Sequence, residues 1–310
     1  MASQFSNGAS QVQTPLFRDP QQKWQLITSL GKGTYGRVDM VRNNYGHAVA
    51  VKSSIYKKEI RKEIEFLRIL NAKGGHPNVV RYLDHVLHKN EDLCDSVMLE
   101  LGCGNLFDMI RNPQEPFSER RVVRFFLQVV EGLKFIHSRN LVHCDLKSGN
   151  IIYGFERKLK IADFGLSHVG SKAMRGPVGT HQICAPEAFF SGYYDGKKND
   201  VWALGILFIE MLNGRYLWKS PQKTDEDFTK FIRLISTAKM ESRSQWGFVQ
   251  FVLQKDPKKR PGLAQIQRHP YISGISKATP LRIAGPCRAI PYHAQSKLFG
   301  VDEPNFVVRI

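Results

Sequence analysis

Three side chains in the middle of this sequence have the types and spacing to hold a divalent cation and steer a hydroxyl group. Asp145 and Asn150 lie five residues apart in HCDLKSGN (143–150), and Asp163 follows thirteen residues after Asn150, in DFG. Carboxylate and amide oxygens are hard donors, the kind that Mg²⁺ takes alongside phosphate oxygens, so Asn150 and Asp163 make a ligand pair. Asp145 is then left to orient an incoming hydroxyl and accept its proton. Upstream, GKGTYGRV (31–38) carries Gly31, Gly33 and Gly36. Without Cβ atoms, the backbone there can approach phosphate oxygens and donate N–H groups to them. Alone, the string fits a plain glycine-rich hairpin better. It runs from strand pattern to strand pattern, whereas a dinucleotide-binding fingerprint runs from strand to helix, which argues against that class. Lys52, sixteen residues after Gly36, ends the buried-strand pattern VAVK. An ammonium there is costly without a partner, and phosphates or a carboxylate of the next helix can provide one. Glu59, Glu63 and Glu65 are the candidates, and Glu63 fits the register of the apolar run ending at Leu70.

A small, mostly β unit followed by a helical one must position these groups. WQLITSL, RVDMVRN and HAVAVKS alternate apolar and polar residues, as half-buried strands do. KKEIRKEIEFLRILNA changes to helical spacing, with Ile60, Ile64, Leu67 and Leu70 on one face. VVRYLDHVL and DSVMLEL complete the β unit, which ends near Leu101. A long helix follows in SERRVVRFFLQVVEGLKFIHSR, with Ser118 as N-cap and Arg121 where a capping box would place Glu. Beyond the loop with Asp145 come two short strands, IIY and LKIA, then helices at 200–212, about 226–236, about 244–253, and Leu263–Arg268. No internal repeat is present.

Composition limits the alternatives. A chain of 310 residues can bury about three quarters of its unfolded surface, so it needs no disulfide or structural metal. The five cysteines are dispersed without a CxxC pair, which suits a reducing, intracellular setting (cytoplasm or nucleus). The first residues have no basic leader or apolar core, and the longest apolar run (201–212) is too short to span a bilayer. The net charge of +17 invites a nucleic-acid reading, but Lys and Arg are spread along the chain with no aromatic-studded motif. A basic surface without a dedicated partner is expected.

In order and spacing, the glycine loop, VAVK, the helix glutamate, HCDLKSGN, DFG, APE (185–187) and NDVWALG resemble the eukaryotic protein kinases. Lys147 and Thr180, the latter in GTHQICAPE, place the resemblance in the serine/threonine branch. It covers 24–272 and implies an α+β, two-lobed kinase fold. Its N-lobe (about 24–101) would be mostly antiparallel β with one main helix, and its C-lobe (about 102–272) mostly helical. Residues 1–23 would be a flexible lead-in and 273–310 a C-terminal extension. The implied reaction moves the γ-phosphate of ATP, with Mg²⁺, to Ser/Thr hydroxyls of protein substrates; the alternative is a pseudokinase scaffold. By resemblance, Asp145 is the catalytic base, Lys147 steadies the γ-phosphate, and Asn150 and Asp163 bind Mg²⁺. Lys52 holds the α/β-phosphates and pairs with Glu63. Leu99 is the gatekeeper, and Glu100 and Gly102 bind the adenine edge. Leu30, Gly31, Gly33, Gly36, Val38, Ala50 and Ile152 complete the nucleotide site. Glu187 with Arg260, and Asp200 on the catalytic-loop backbone, are structural.

The sequence also departs from the family. Cys144 stands where an arginine usually precedes the catalytic aspartate and receives an activation-segment phosphate, so activity independent of that phosphorylation is expected. Ile183 and Cys184 alter the pocket before APE. Asn105 and Gly149 occupy places that are acidic in arginine-directed relatives, so no strong preference for upstream arginine is expected. Subgroup features conflict: the long helix and ELGCGNLFDMI are similar to checkpoint and calmodulin-dependent kinases, and HCDLKSGNI to some MAP-kinase-kinase-kinases.

Overall fold

The computed structural model describes residues 21–33, 36–111, 117–170, 174–190 and 192–277. Most of the expected lead-in and of the C-terminal extension therefore lies outside the described residues. The described residues divide into two compact units, one holding 21–57 with Tyr82–Glu100, the other Lys58–Arg81 with the described residues of 101–277.

The first unit is an antiparallel sheet of β1 (Trp24–Gly33), β2 (Gly36–Asn43), β3 (Ala48–Ser54), β4 (Tyr82–Val86) and β5 (Asp95–Glu100), in the order β1-β2-β3-β5-β4. Alternation sorts its side chains. Val49, Val51 and Met98 are buried together, with Trp24, Val41 and Leu83 against them. The intervening residues take the other face. Ala50 lies opposite Leu99, and Lys52 lies opposite Val38 on one side and Val97 on the other. Directly opposed residues share a face, so Val38, Ala50, Lys52 and Leu99 line one surface of this sheet.

The second unit begins with α1 (Lys57–Asn71), apart from its first residue. Ile60, Ile64, Leu67 and Leu70 are its buried stripe. Its grouping with the helical unit differs from the expected lobe division, and two contacts account for it. Glu63 on α1 accepts a hydrogen bond from the Phe164 amide at 3.1 Å. The following segment runs beside residues 159–161, with Val80 N donating to Ile161 O and Ile161 N to Asn78 O, both at 2.9 Å.

Next come β6 (Gly104–Asn105), α2 (Leu106–Arg111), α3 (Glu119–Ser138), β7 (Leu141–Val142), β8 (Ile151–Tyr153), β9 (Leu159–Ile161) and β10 (His168–Val169). They are followed by β11 (Met174–Arg175), β12 (Tyr193–Tyr194), α4 (Gly196–Asn213), α5 (Glu226–Thr237), α6 (Gln245–Val252), α7 (Leu263–Arg268) and α8 (Pro270–Lys277). Ser118 caps α3 by accepting from Arg121 N at 3.3 Å. Helix α4 starts four residues before the expected position because Asp195 caps it, accepting from the Lys197 and Lys198 amides. It closes at Gly214, whose φ of 72° suits a residue without Cβ. Phe126 of α3, Phe208 of α4 and Phe248 of α6 meet edge-to-face at 4.9–5.5 Å and knit the core. Short sheets β6-β8-β9, β7-β10 and β11-β12 brace the loops between the helices.

Candidate active site

The loop between β7 and β8 is tied to the buried helix α4. Asp200 accepts from the amides of His143 (Oδ2, 2.9 Å) and Cys144 (Oδ1, 2.9 Å), and His137 Nε2 donates to Oδ2 at 2.8 Å. These bonds hold Cys144 at φ +68°, a left-handed conformation that costs a non-glycine residue about 1–2 kcal/mol. His143 is locked as well. Its Nε2 donates to Ala162 O at 3.0 Å, and its Nδ1 accepts from Asp145 N at 3.3 Å, which sets the neutral tautomer.

Asp145, thus presented, is the hub of the site. Asn150 Nδ2 donates to Asp145 O at 2.9 Å and to its Oδ2 at 3.0 Å. The Lys147 ammonium lies 2.8 Å from Oδ2 and donates to the Thr180 hydroxyl at 2.7 Å. The Thr180 amide donates to Oδ1 at 2.9 Å. Burial alone would push this carboxyl up. Lys147's hydrogen bond and charge, with the Thr180 donors, outweigh it and hold Asp145 below the usual carboxylate range.

Asp163 comes to the same loop through its neighbours. Ala162 N donates to Asn150 O at 2.8 Å, and the buried Phe164 ring stands 5.2 Å from the His143 ring. Asp163 itself has φ +63°. Ile152 on β8 and Gly102 also adjoin. A Cβ at Gly102 would meet Tyr153 O at 3.0 Å and Ile152 Cβ at 3.3 Å, a close approach that favours glycine there.

In the first unit, Gly31 pairs with Val38, and Leu99 and Glu100 end β5. A Cβ built at Gly31 or Gly33 meets nothing among the described residues within 4 Å. Packing among the described residues therefore does not demand glycine at those two places, whereas close approach of a ligand would. Gly36 differs: its φ is +156°, and a Cβ would collide with the Ser53 carbonyl, so backbone geometry explains that glycine.

The residues also pass the chemical test for Mg²⁺. Both amide hydrogens of Asn150 are spent on Asp145, which fixes the side-chain flip and leaves Oδ1 as its hard donor. Asp163 supplies a carboxylate on the adjoining turn.

One contributor and one contact escaped sequence reasoning. Gly179, at φ +84°, gives Asp145 its room, since a Cβ there would lie 2.8 Å from Oδ1; its only signal is its place before Thr180. Glu63 serves the Phe164 amide, a partner that helical register could not reveal.

Comparison with known proteins shows the family. The protein kinase domain family matches residues 24–272. Serine/threonine-protein kinase 1 of Arabidopsis thaliana is 32% identical over 284 residues, covering 84% of this chain and 32% of that protein. Human serine/threonine-protein kinase 10 is 29% identical, covering 85% and 28% respectively. An Aurora kinase of Yarrowia lipolytica is 31% identical, covering 80% and 68%. The chain thus spans about a third of the length of the first two relatives.

Proposed function

This chain belongs to the protein kinase family, and we propose that it is an active serine/threonine kinase that transfers the γ-phosphoryl group of Mg·ATP to protein hydroxyls. One observation carries the reading: a single buried carboxylate, Asp145, is held by Lys147, Asn150 and Thr180 at 2.8–3.0 Å. A scaffold without chemistry has no need to keep a carboxylate ionised in that position.

Phosphoryl transfer asks for positioning and charge neutralisation more than for a strong base. Asp145 fits, because its lowered affinity for protons suits it to orienting a hydroxyl and accepting the proton late. Lys147 can move between Thr180 and an incoming phosphate. Asn150 Oδ1 and Asp163 would hold Mg²⁺, which when bound neutralises phosphate oxygens. Lys52, on the sheet face shared with Val38, Ala50 and Leu99, would take the α/β-phosphates and pair with Glu63. Gly31 and Gly33 would let backbone amides approach them, and Glu100 and Gly102 would bind the adenine edge.

The catalytic domain in this reading is 24–272, acting inside the cell on serine and threonine acceptors, without strong demand for upstream arginine. The test is transfer of label from γ-labelled ATP to a generic protein substrate, followed by phosphoamino-acid analysis. Phosphoserine and phosphothreonine should form, and Asp163→Asn should abolish both. Nucleotide binding without transfer in the unmodified protein would favour the pseudokinase instead.

A further inference from the structure

We propose that Glu210 is a positioning residue, which from α4 fixes the 3₁₀ turn Ser148–Asn150 and so the amide of Asn150 and the carboxylate of Asp145. The inference rests on the phosphotransfer reading of that site. Ser148 and Glu210 are both fully buried, 62 residues apart in sequence, and Ser148 Oγ donates to Glu210 Oε1 at 2.8 Å. The other carboxyl oxygen, Oε2, is buried as well, and the Tyr216 hydroxyl and the Arg111 charge act on the same carboxyl. A buried acid is an expensive choice in a helix whose residues from Val201 to Met211 are otherwise mostly apolar and buried. Toward the turn beside Asp145, what this acid contributes is a fixed acceptor for Ser148.

Ser148 starts the turn that Asn150 ends, and Asn150 N closes it on Lys147 O at 3.0 Å. Asn150 in turn spends both amide hydrogens on Asp145. Ten residues earlier on the same helix, Asp200 holds the amides of His143 and Cys144. One rigid helix therefore grips the loop before Asp145 and after it. Loss of the second grip would leave the fold and the first grip intact while Asn150 and Asp145 drift.

The test compares Ser148→Ala, Glu210→Ala, Glu210→Gln and the double Ser148→Ala/Glu210→Ala with the unmodified protein. Small misplacements of reacting groups cost about 10- to 100-fold in rate. Each alanine variant should lose kcat on that scale with KM for ATP nearly unchanged. Glu210→Gln, which keeps an acceptor oxygen, should recover most of it, and the double variant should lose no more than either single. A second readout is independent of turnover: Mn²⁺ binding in the presence of ADP, followed by the resonance of free Mn²⁺, should weaken several-fold in Ser148→Ala. Should Glu210→Ala not fold, Ser148→Ala, which removes one oxygen atom, decides alone. Unchanged kcat and Mn²⁺ affinity in Ser148→Ala, or losses that add in the double variant, would overturn the proposal. If the unmodified protein transfers no phosphate yet Mn²⁺ binding falls in Ser148→Ala, the positioning inference stands and the kinase reading fails.

Discussion

Arg260 grips Glu187 through two parallel hydrogen bonds, Nη1 to Oε1 at 2.7 Å and Nη2 to Oε2 at 3.0 Å. The guanidinium is fully buried, also donates to the carbonyls of Gln254 and Lys198, and lies 5.1 Å over the Trp202 ring. It thereby ties the APE segment to the loop before α7. Breaking a buried pair strands its partner, so Arg260→Ala should destabilise the protein by about 3–5 kcal/mol. Urea unfolding checks this; a loss below about 1 kcal/mol would mean the pair is dispensable.

Activity should not require phosphate on the segment between DFG and APE. Where relatives carry an arginine, Cys144 packs in an apolar cluster with Val142, Met174, Cys184, Ala188 and Tyr194. Met174 pairs with Tyr194 between β11 and β12, and the Tyr194 hydroxyl donates to Gly176 O at 3.0 Å. On this account, strand pairing and burial would do what a phosphate–arginine contact does elsewhere. Phosphatase-treated protein should keep its activity, and Met174→Ala should lower it while costing about 2 kcal/mol or more of stability. Activity lost on dephosphorylation and restored by phosphate at Thr180 or Ser171 (the latter outside the described residues) would refute this.

The same cluster predicts thiol reactivity. Burial pushes the Cys184 thiol up to about 12 and that of Cys144 higher still. Cys94 and Cys103 are partly exposed. Thiolate is the reacting species, so alkylation of the native protein near neutral pH should label Cys94 and Cys103 and spare Cys144 and Cys184. Peptide mapping reads the result, and early labelling of Cys144 would contradict it.

Stability should fall in mild acid. His269 is buried against Phe248 and Phe251, with no hydrogen-bond partner for Nδ1 among the described residues, and burial lowers its pKa. A depressed folded value means that the unfolded chain binds the proton first. The loss begins as pH drops through the ordinary histidine value of about 6.5 and continues until pH passes the lower folded value. His76, also lowered chiefly by burial, acts in the same direction. His269→Gln should flatten the slope between about pH 7 and 5 in unfolding midpoints; an identical slope would assign the effect elsewhere.

Much of this was legible in the sequence, where chemistry and spacing are local. Asp145 and Asn150 share one loop, and a five-residue gap declares their partnership. Helix α7 falls at Leu263–Arg268 as its periodicity indicates. Local signals fail where the first turn of a helix is polar: Lys197, Lys198 and Asn199 have no apolar rhythm, and the Asp195 cap alone marks the start of α4. They also fail for contacts distant along the chain. Nothing near Ser148 points to Glu210, nothing near Glu63 points to the Phe164 amide, and the space that Gly179 leaves for Asp145 exists only once the two segments meet.

Asp145→Asn offers the most direct measurement, because it keeps shape and removes the carboxylate. Mg·ATP binding and phosphate transfer should be measured side by side with the unmodified protein. Binding should persist within a few-fold, while transfer to protein serine and threonine falls by about 10²-fold or more. Transfer at the original rate in that variant would contradict the role given to the hub of this site.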